Sequence, residues 1–154
     1  MARLMISLLG SFRVNIDGTA ITQFESNKVR GLLAYLVVES LQNHRREKLA
    51  ALFWPDMTTQ DARSNLSRAL YNFRGLIQDH QAEPPYLLRS RDSIQFNPGS
   101  DYWLDIDTIR EQFGGRTIVI VDATAENLSS MNDPTRWTLL GDRRLLINTL
   151  MGAR

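Results

Sequence analysis

Between Thr59 and Asp79 the chain carries its clearest helical period, and one side of that helix is chemically unusual. At roughly 100° per residue, Ser64, Asn65, Arg68, Tyr71 and Asn72 fall on a face opposite the apolar stripe Ala62, Leu66, Ala69, Leu70, Phe73 and Ile77. A solvated face is normally crowded with Glu and Lys. This one offers hydroxyl, amide and guanidinium groups, the donors and acceptors that match base edges in a DNA groove. Ser67 belongs with the same set, and Arg63 and Arg74 sit at the margins of the stripe, where long side chains reach outward to phosphates. For Ser64, Asn65 and Arg68 the alternative is a plain solvated face, and Tyr71 is equally suited to covering an edge of the core.

The elements around this helix must position it. Leu4, Ile6 and Leu8 alternate with Met5, Ser7 and Leu9, and Phe12, Val14 and Ile16 with Arg13, Asn15 and Asp17, as strands do. Gly10-Ser11 and Asp17-Gly18 supply turns, and Thr19–Thr22 reads as a third strand. Ser26 is an N-cap for a helix through Glu39, with Val29, Leu32, Leu33 and Leu36 at helical spacing. A short helix over about Arg46 to Trp54 stops at Pro55, and Thr58 or Thr59 caps the next one. Beyond Glu83-Pro-Pro85, Tyr86–Arg89 and Ser93–Phe96 form a hairpin with Ser90-Arg91-Asp92 at its tip. Three helices and a hairpin with a basic tip make an α+β winged helix-turn-helix. Tyr102–Leu104 reads as a strand, Asp105–Phe113 as an amphipathic helix, and Gly114-Gly115 as a boundary.

Charge supports the same face. The 154 residues have a formal net charge of +1, yet residues 26–74 hold eight basic side chains against four acidic ones, and residues 80–113 reverse the balance to −3. Arg46 and Lys48, at the start of the second helix, and Arg91, at the hairpin tip, are further candidates for DNA. Lys28 and Arg30 are weaker candidates, and Trp54 is read as packing rather than as a phosphate donor. His44 and His80 have no matching ligands and are read as surface residues. Asp101, Asp105 and Asp107 are read as a turn and helix-start cluster and not as a metal site.

With no cysteine, disulfides and thiolate metal sites are excluded, and the apolar start of the chain is too short to span a membrane, so a cytoplasmic location is expected. There is no Gly-rich phosphate loop, no GxSxG elbow and no His/carboxylate constellation at catalytic spacing, so no enzyme, cofactor or metal is expected.

Several motifs in order resemble one family: Leu9-Gly-Ser-Phe-Arg-Val14 with Asp17-Gly18, the Ser26–Leu36 segment, Arg45–Leu49 with Leu52-Phe-Trp-Pro-Asp56, Ala62-Arg-Ser-Asn-Leu66, and Tyr102–Asp107. Over about residues 4–113 they are similar to the N-terminal DNA-binding domain of SARP-type bacterial transcriptional activators. The resemblance implies an OmpR/PhoB-type winged helix over residues 1–113, with helix 59–79 reading the major groove and the hairpin as the wing. It also implies double-stranded DNA with direct repeats, a head-to-tail dimer on DNA and RNA polymerase as partners, with Asp56 and Met57 in the loop that faces polymerase. A winged helix used only for protein–protein contact is the competing reading. Residues 114–154 depart from the family pattern, since the helical activator domain that usually follows is missing. Thr117–Val121 finds no strand partner in this tail and Thr135–Met151 is at most a helix broken near Gly141, so the tail is expected to be weakly ordered.

Overall fold

The computed structural model describes residues 3–112, 118–120, 138–140 and 143–146. In chain order the elements are β1 (Leu4–Ser7), β2 (Arg13–Ile16), β3 (Thr19–Ile21), α1 (Asn27–Val38), β4 (His44–Arg45), α2 (Arg46–Phe53), α3 (Thr59–Leu76), β5 (Leu87–Arg89), β6 (Ser93–Phe96), β7 (Tyr102–Leu104), α4 (Asp105–Gln112), β8 (Ile118–Ile120), β9 (Thr138–Leu140) and β10 (Arg143–Leu146). They pack as two units, residues 1–22 with 102–154 and residues 23–101. Among the described residues no helix is long and apolar enough to cross a membrane.

In the first unit, alternation drives the sheet. Leu4 and Ile6 of β1, Val14 and Ile16 of β2 and Leu104 of β7 are buried. The sheet runs β3-β2-β1-β7. Asp17 and Gly18 both take positive φ, 48° and 81°, the geometry an Asp-Gly hairpin turn demands between β2 and β3. β7 joins β1 in parallel, with Leu4 opposite Tyr102 and Ile6 opposite Leu104, so the sheet is not the purely antiparallel one that the first 22 residues suggest. Asp105 explains how so short a parallel pair is held. Its carboxylate accepts the Leu8 N–H at 2.9 Å and the Leu9 N–H at 3.0 Å, tying the exit of β1 to the start of α4. The helix-start reading of Asp105 therefore describes the residue well.

The tail differs from expectation. β8, β10 and β9 form a three-stranded sheet, β8 parallel and β9 antiparallel to the central β10. The run at 118–120 thus has a partner, and residues 138–140 and 143–146 are strands instead of a broken helix. As sequence, the two residues Gly141-Asp142 between Thr138–Leu140 and Arg143–Leu146 are a hairpin signal stronger than the helical spacing of the leucines, and they themselves lie outside the described residues. Gly114-Gly115, Thr117, Val121, Ile147 and Leu150 lie outside the described residues.

The second unit is built on α3. Ala62, Leu66, Ala69, Leu70, Phe73 and Ile77 are all buried, and each large side chain among them contributes about 1.5–3 kcal/mol by leaving water. Thr58 is the N-cap: its hydroxyl accepts the Asp61 N–H at 3.1 Å and donates to the Asp61 carboxylate at 2.8 Å. The helix ends at Leu76, three residues before the periodicity suggests, because Gln78 turns into the left-handed region and a 3-10 turn, Asp79–Gln81, follows.

α1 starts at Ser26, whose hydroxyl accepts the Val29 N–H, and residues 31–38 are buried without interruption. β4 was not expected. It pairs with β6, His44 opposite Ile94, and extends the hairpin to a three-stranded sheet in the order β4-β6-β5. His44 is therefore buried, correcting its reading as a surface residue. Its Nε2 lies 3.1 Å from the Glu39 carbonyl and its ring 5.2 Å from that of Tyr35. His80 is exposed as read.

Candidate nucleic-acid interface

The exposed side of α3 is narrower than its sequence face. Ser64, Ser67, Arg68 and Tyr71 stand in solvent, Tyr71 with 80% of its surface exposed. Asn65 and Asn72 lie about a quarter turn round the helix and are half-buried. Each amide is engaged there. Asn65 Nδ2 donates to the sulfur of Met57 at 2.8 Å, and Asn72 Oδ1 accepts the Glu25 N–H at 3.1 Å. The two amides hold the α2–α3 loop and the approach to α1.

The arginines divide in the same way. Arg63 is exposed beside the start of α2 and the wing tip. Together with Arg45, Arg46, Glu47, Ser67, Arg91 and Asp92 it lines a hollow of about 390 Å3, in which the four arginines outnumber the two acids. Such a hollow concentrates positive potential where a helix and a hairpin tip converge, the arrangement that attracts a phosphodiester. Arg45 was not singled out from sequence, although the pair Arg45-Arg46 ahead of a helix is its signal. Lys48 is exposed on α2.

Arg46 and Arg74 are committed within the protein. The Arg46 backbone N–H donates to the Asp92 carbonyl at 2.9 Å and its Nε to the Ser90 carbonyl at 3.2 Å, so both contacts land on the wing tip. Partial burial, with Arg89 and Arg74 nearby, pushes the Arg46 guanidinium below the usual arginine range. Arg74 Nε pairs with Asp79 Oδ2 at 3.1 Å, and the other oxygen of that buried carboxylate accepts the Leu87 N–H at 3.0 Å. Asp79 has no sequence signature, because its partners come from the end of α3 and the start of β5.

Lys28 and Trp54 are accounted for by packing. Lys28 Nζ donates to the Phe53 carbonyl at the end of α2, 2.6 Å away, and lies over the Trp54 ring. Arg30 donates to Asn27 Oδ1 and lies over Phe24. Asp56 is exposed, whereas Met57 is half-exposed and takes the Asn65 amide, so the loop at 55–58 is tethered at Met57.

The chain matches no protein-family model and no curated protein sequence. It is similar to a solved structure, Mycobacterium tuberculosis EmbR in complex with a low affinity phosphopeptide, at 24% identity and a TM-score of 0.52. The likeness covers 63% of this chain and 26% of that one, so this chain spans about a quarter of the EmbR chain's length. At this identity the likeness is one of fold, the α+β winged helix.

Proposed function

We propose that this chain is a sequence-specific double-stranded DNA-binding regulator of transcription, of the SARP type, acting as an activator. The observation that carries the reading is the meeting of the exposed Ser64, Ser67, Arg68 and Tyr71 face of α3 with the arginine-lined hollow at the wing tip. A helix with hydrogen-bonding groups at its crest and cations along its flank suits the major groove: base edges at the crest, phosphates at the flank. Arg68 reads a base, Arg45, Lys48 and Arg63 contact phosphates, and Arg91 enters the adjacent minor groove. Asn65 and Asn72 contribute by holding α3 in place as well as through any base they reach. The exposed Asp56 and the tethered Met57 form the surface offered to RNA polymerase. Binding to direct repeats places two copies head to tail. All these contacts come from residues 23–101, which makes residues 114–154 dispensable for DNA binding.

Selection of bound sites from random duplex DNA with the full chain tests the reading. An enriched repeat, with affinity falling steeply as salt rises, supports it. A winged helix used only as a protein adaptor would enrich no sequence and would hold its partner with little regard to salt.

A further inference from the structure

The wing is pinned at both ends to the helices that flank it. At its base, the Asp79 carboxylate receives Arg74 from the last turn of α3 and the N–H of Leu87 from the start of β5. At its tip, the carbonyls of Ser90 and Asp92 are held by the side chain and backbone of Arg46, the first residue of α2. The tip itself is tight, Ser90 and Ser93 being joined by their hydroxyls at 2.7 Å and by backbone. A hairpin alone is marginally stable and free to swing. Here β4 pairs along β6, and in addition each of the hairpin's two ends has one arginine whose Nε donates within the protein.

We propose that Arg46 and the Arg74–Asp79 pair are positioning residues that fix the wing tip relative to α3, and so set which minor-groove flank is read together with a given major-groove site. The proposal rests on the DNA-binding reading for its consequence but not for its geometry. A buried carboxylate held by one guanidinium and one amide is a short, directional link, since loss of either partner leaves the other uncompensated. Arg46 at the tip is a bond to neutral carbonyls at a partly exposed position, the lighter of the two struts. Arg74, neutralised by Asp79, supplies no counterion release, although from sequence alone it belongs to the basic surface.

The chain has no cysteine, so spin labels can be placed at Ser67→Cys and Arg91→Cys without background. Both positions line the same hollow. In the full chain without DNA, a single defined dipolar coupling is expected. Arg74→Ala, Asp79→Asn and, to a smaller degree, Arg46→Ala should broaden it, and Arg74→Lys should restore it, because an ammonium on a long stem still reaches Asp79. Without labels, on the selected duplex, Arg74→Ala and Arg46→Ala should bring the affinity ratio between A/T and G/C wing-side flanks toward one, and Arg74→Ala should leave the salt slope unchanged. Should Arg74→Ala reduce the folded population, Arg46→Ala removes only a side-chain bond and carries the same test. A coupling that stays sharp in all three broadening variants overturns the proposal. So does a salt slope that falls with the flank ratio intact, which would make these arginines phosphate contacts. A wild-type chain that binds no duplex would refute the functional reading alone, and the label experiment would still decide the struts.

Discussion

The salt dependence of DNA affinity can be worked out from the arginines that are committed and those that are not. Five cations in residues 23–101 are exposed and contribute to the proposed face: Arg45, Lys48, Arg63, Arg68 and Arg91. If each neutralises one phosphate, counterion release gives a slope of about −4.5 for log K against log salt, taking about 0.9 per phosphate. Between about 50 and about 200 mM salt, affinity should then fall about 500-fold. Arg63→Ala should reduce the slope to about −3.6 and the fall over the same range to about 150-fold. Arg74→Ala should leave the slope near the wild-type value, since its charge is paired with Asp79. Fluorescence anisotropy on the selected duplex, titrated over that salt range, reads all three proteins. A wild-type slope shallower than about −2 would refute the assignment of this surface to DNA, and a drop for Arg74→Ala equal to that of Arg63→Ala would refute the division of the arginines.

Arg68→Ala should cost about 1–3 kcal/mol on the selected site and relax preference at one base pair, measured by repeating the selection with the variant. Asp56→Ala combined with Met57→Ala should leave operator affinity intact and lower transcription in a reconstituted assay; unchanged transcription would move the polymerase contact elsewhere. Burial raises the Asp107 carboxyl above its ordinary value of 3.8, outweighing the opposing pull of Arg110, so the folded chain binds this proton more tightly than the unfolded one. That contribution is fully present below the unfolded pKa and is lost as pH rises through the folded value, so Asp107→Asn should gain in stability relative to wild type across that window in denaturant melts; a gain toward acid would contradict it. Residues 1–113 alone should select the same DNA sequence as the full chain, and a changed site would give the tail a part in recognition.

What the sequence made legible was whatever repeats at short range. The stripe Ala62, Leu66, Ala69, Leu70, Phe73 and Ile77 is the core of α3 because a helix repeats in i, i+3 and i+4 steps, and Ser26, Thr58 and Asp17-Gly18 act through bonds or turns a few residues away. Contacts at long separation were not legible. β4 is two residues long, shorter than any alternation can show, and exists because His44 and Arg45 lie beside β6, about fifty residues on. Only that pairing buries His44. The tail is ambiguous for a different reason: Leu139, Leu140, Leu146 and Ile147 fit the spacing of a broken helix, while the two-residue spacing at Gly141-Asp142 fits a hairpin, and the two patterns coincide in so short a stretch.

The polar face of α3 shows where this limit touches function. Periodicity places Asn65, Arg68 and Asn72 together, and it places Arg63 and Arg74 alike at the margins of the stripe. It cannot distinguish a side chain that ends in solvent from one that meets a neighbour. That distinction depends on Met57, Glu25 and Asp79, three residues on three different segments. An amide or guanidinium that already holds a loop has less to offer a base or a phosphate, because breaking the internal bond would cost about what the new one returns. Among the described residues Ser64, Ser67, Arg68 and Tyr71 make no such internal bond, so the specificity of this helix should reside in their four positions, with Asn65 and Asn72 setting the angle at which they are presented.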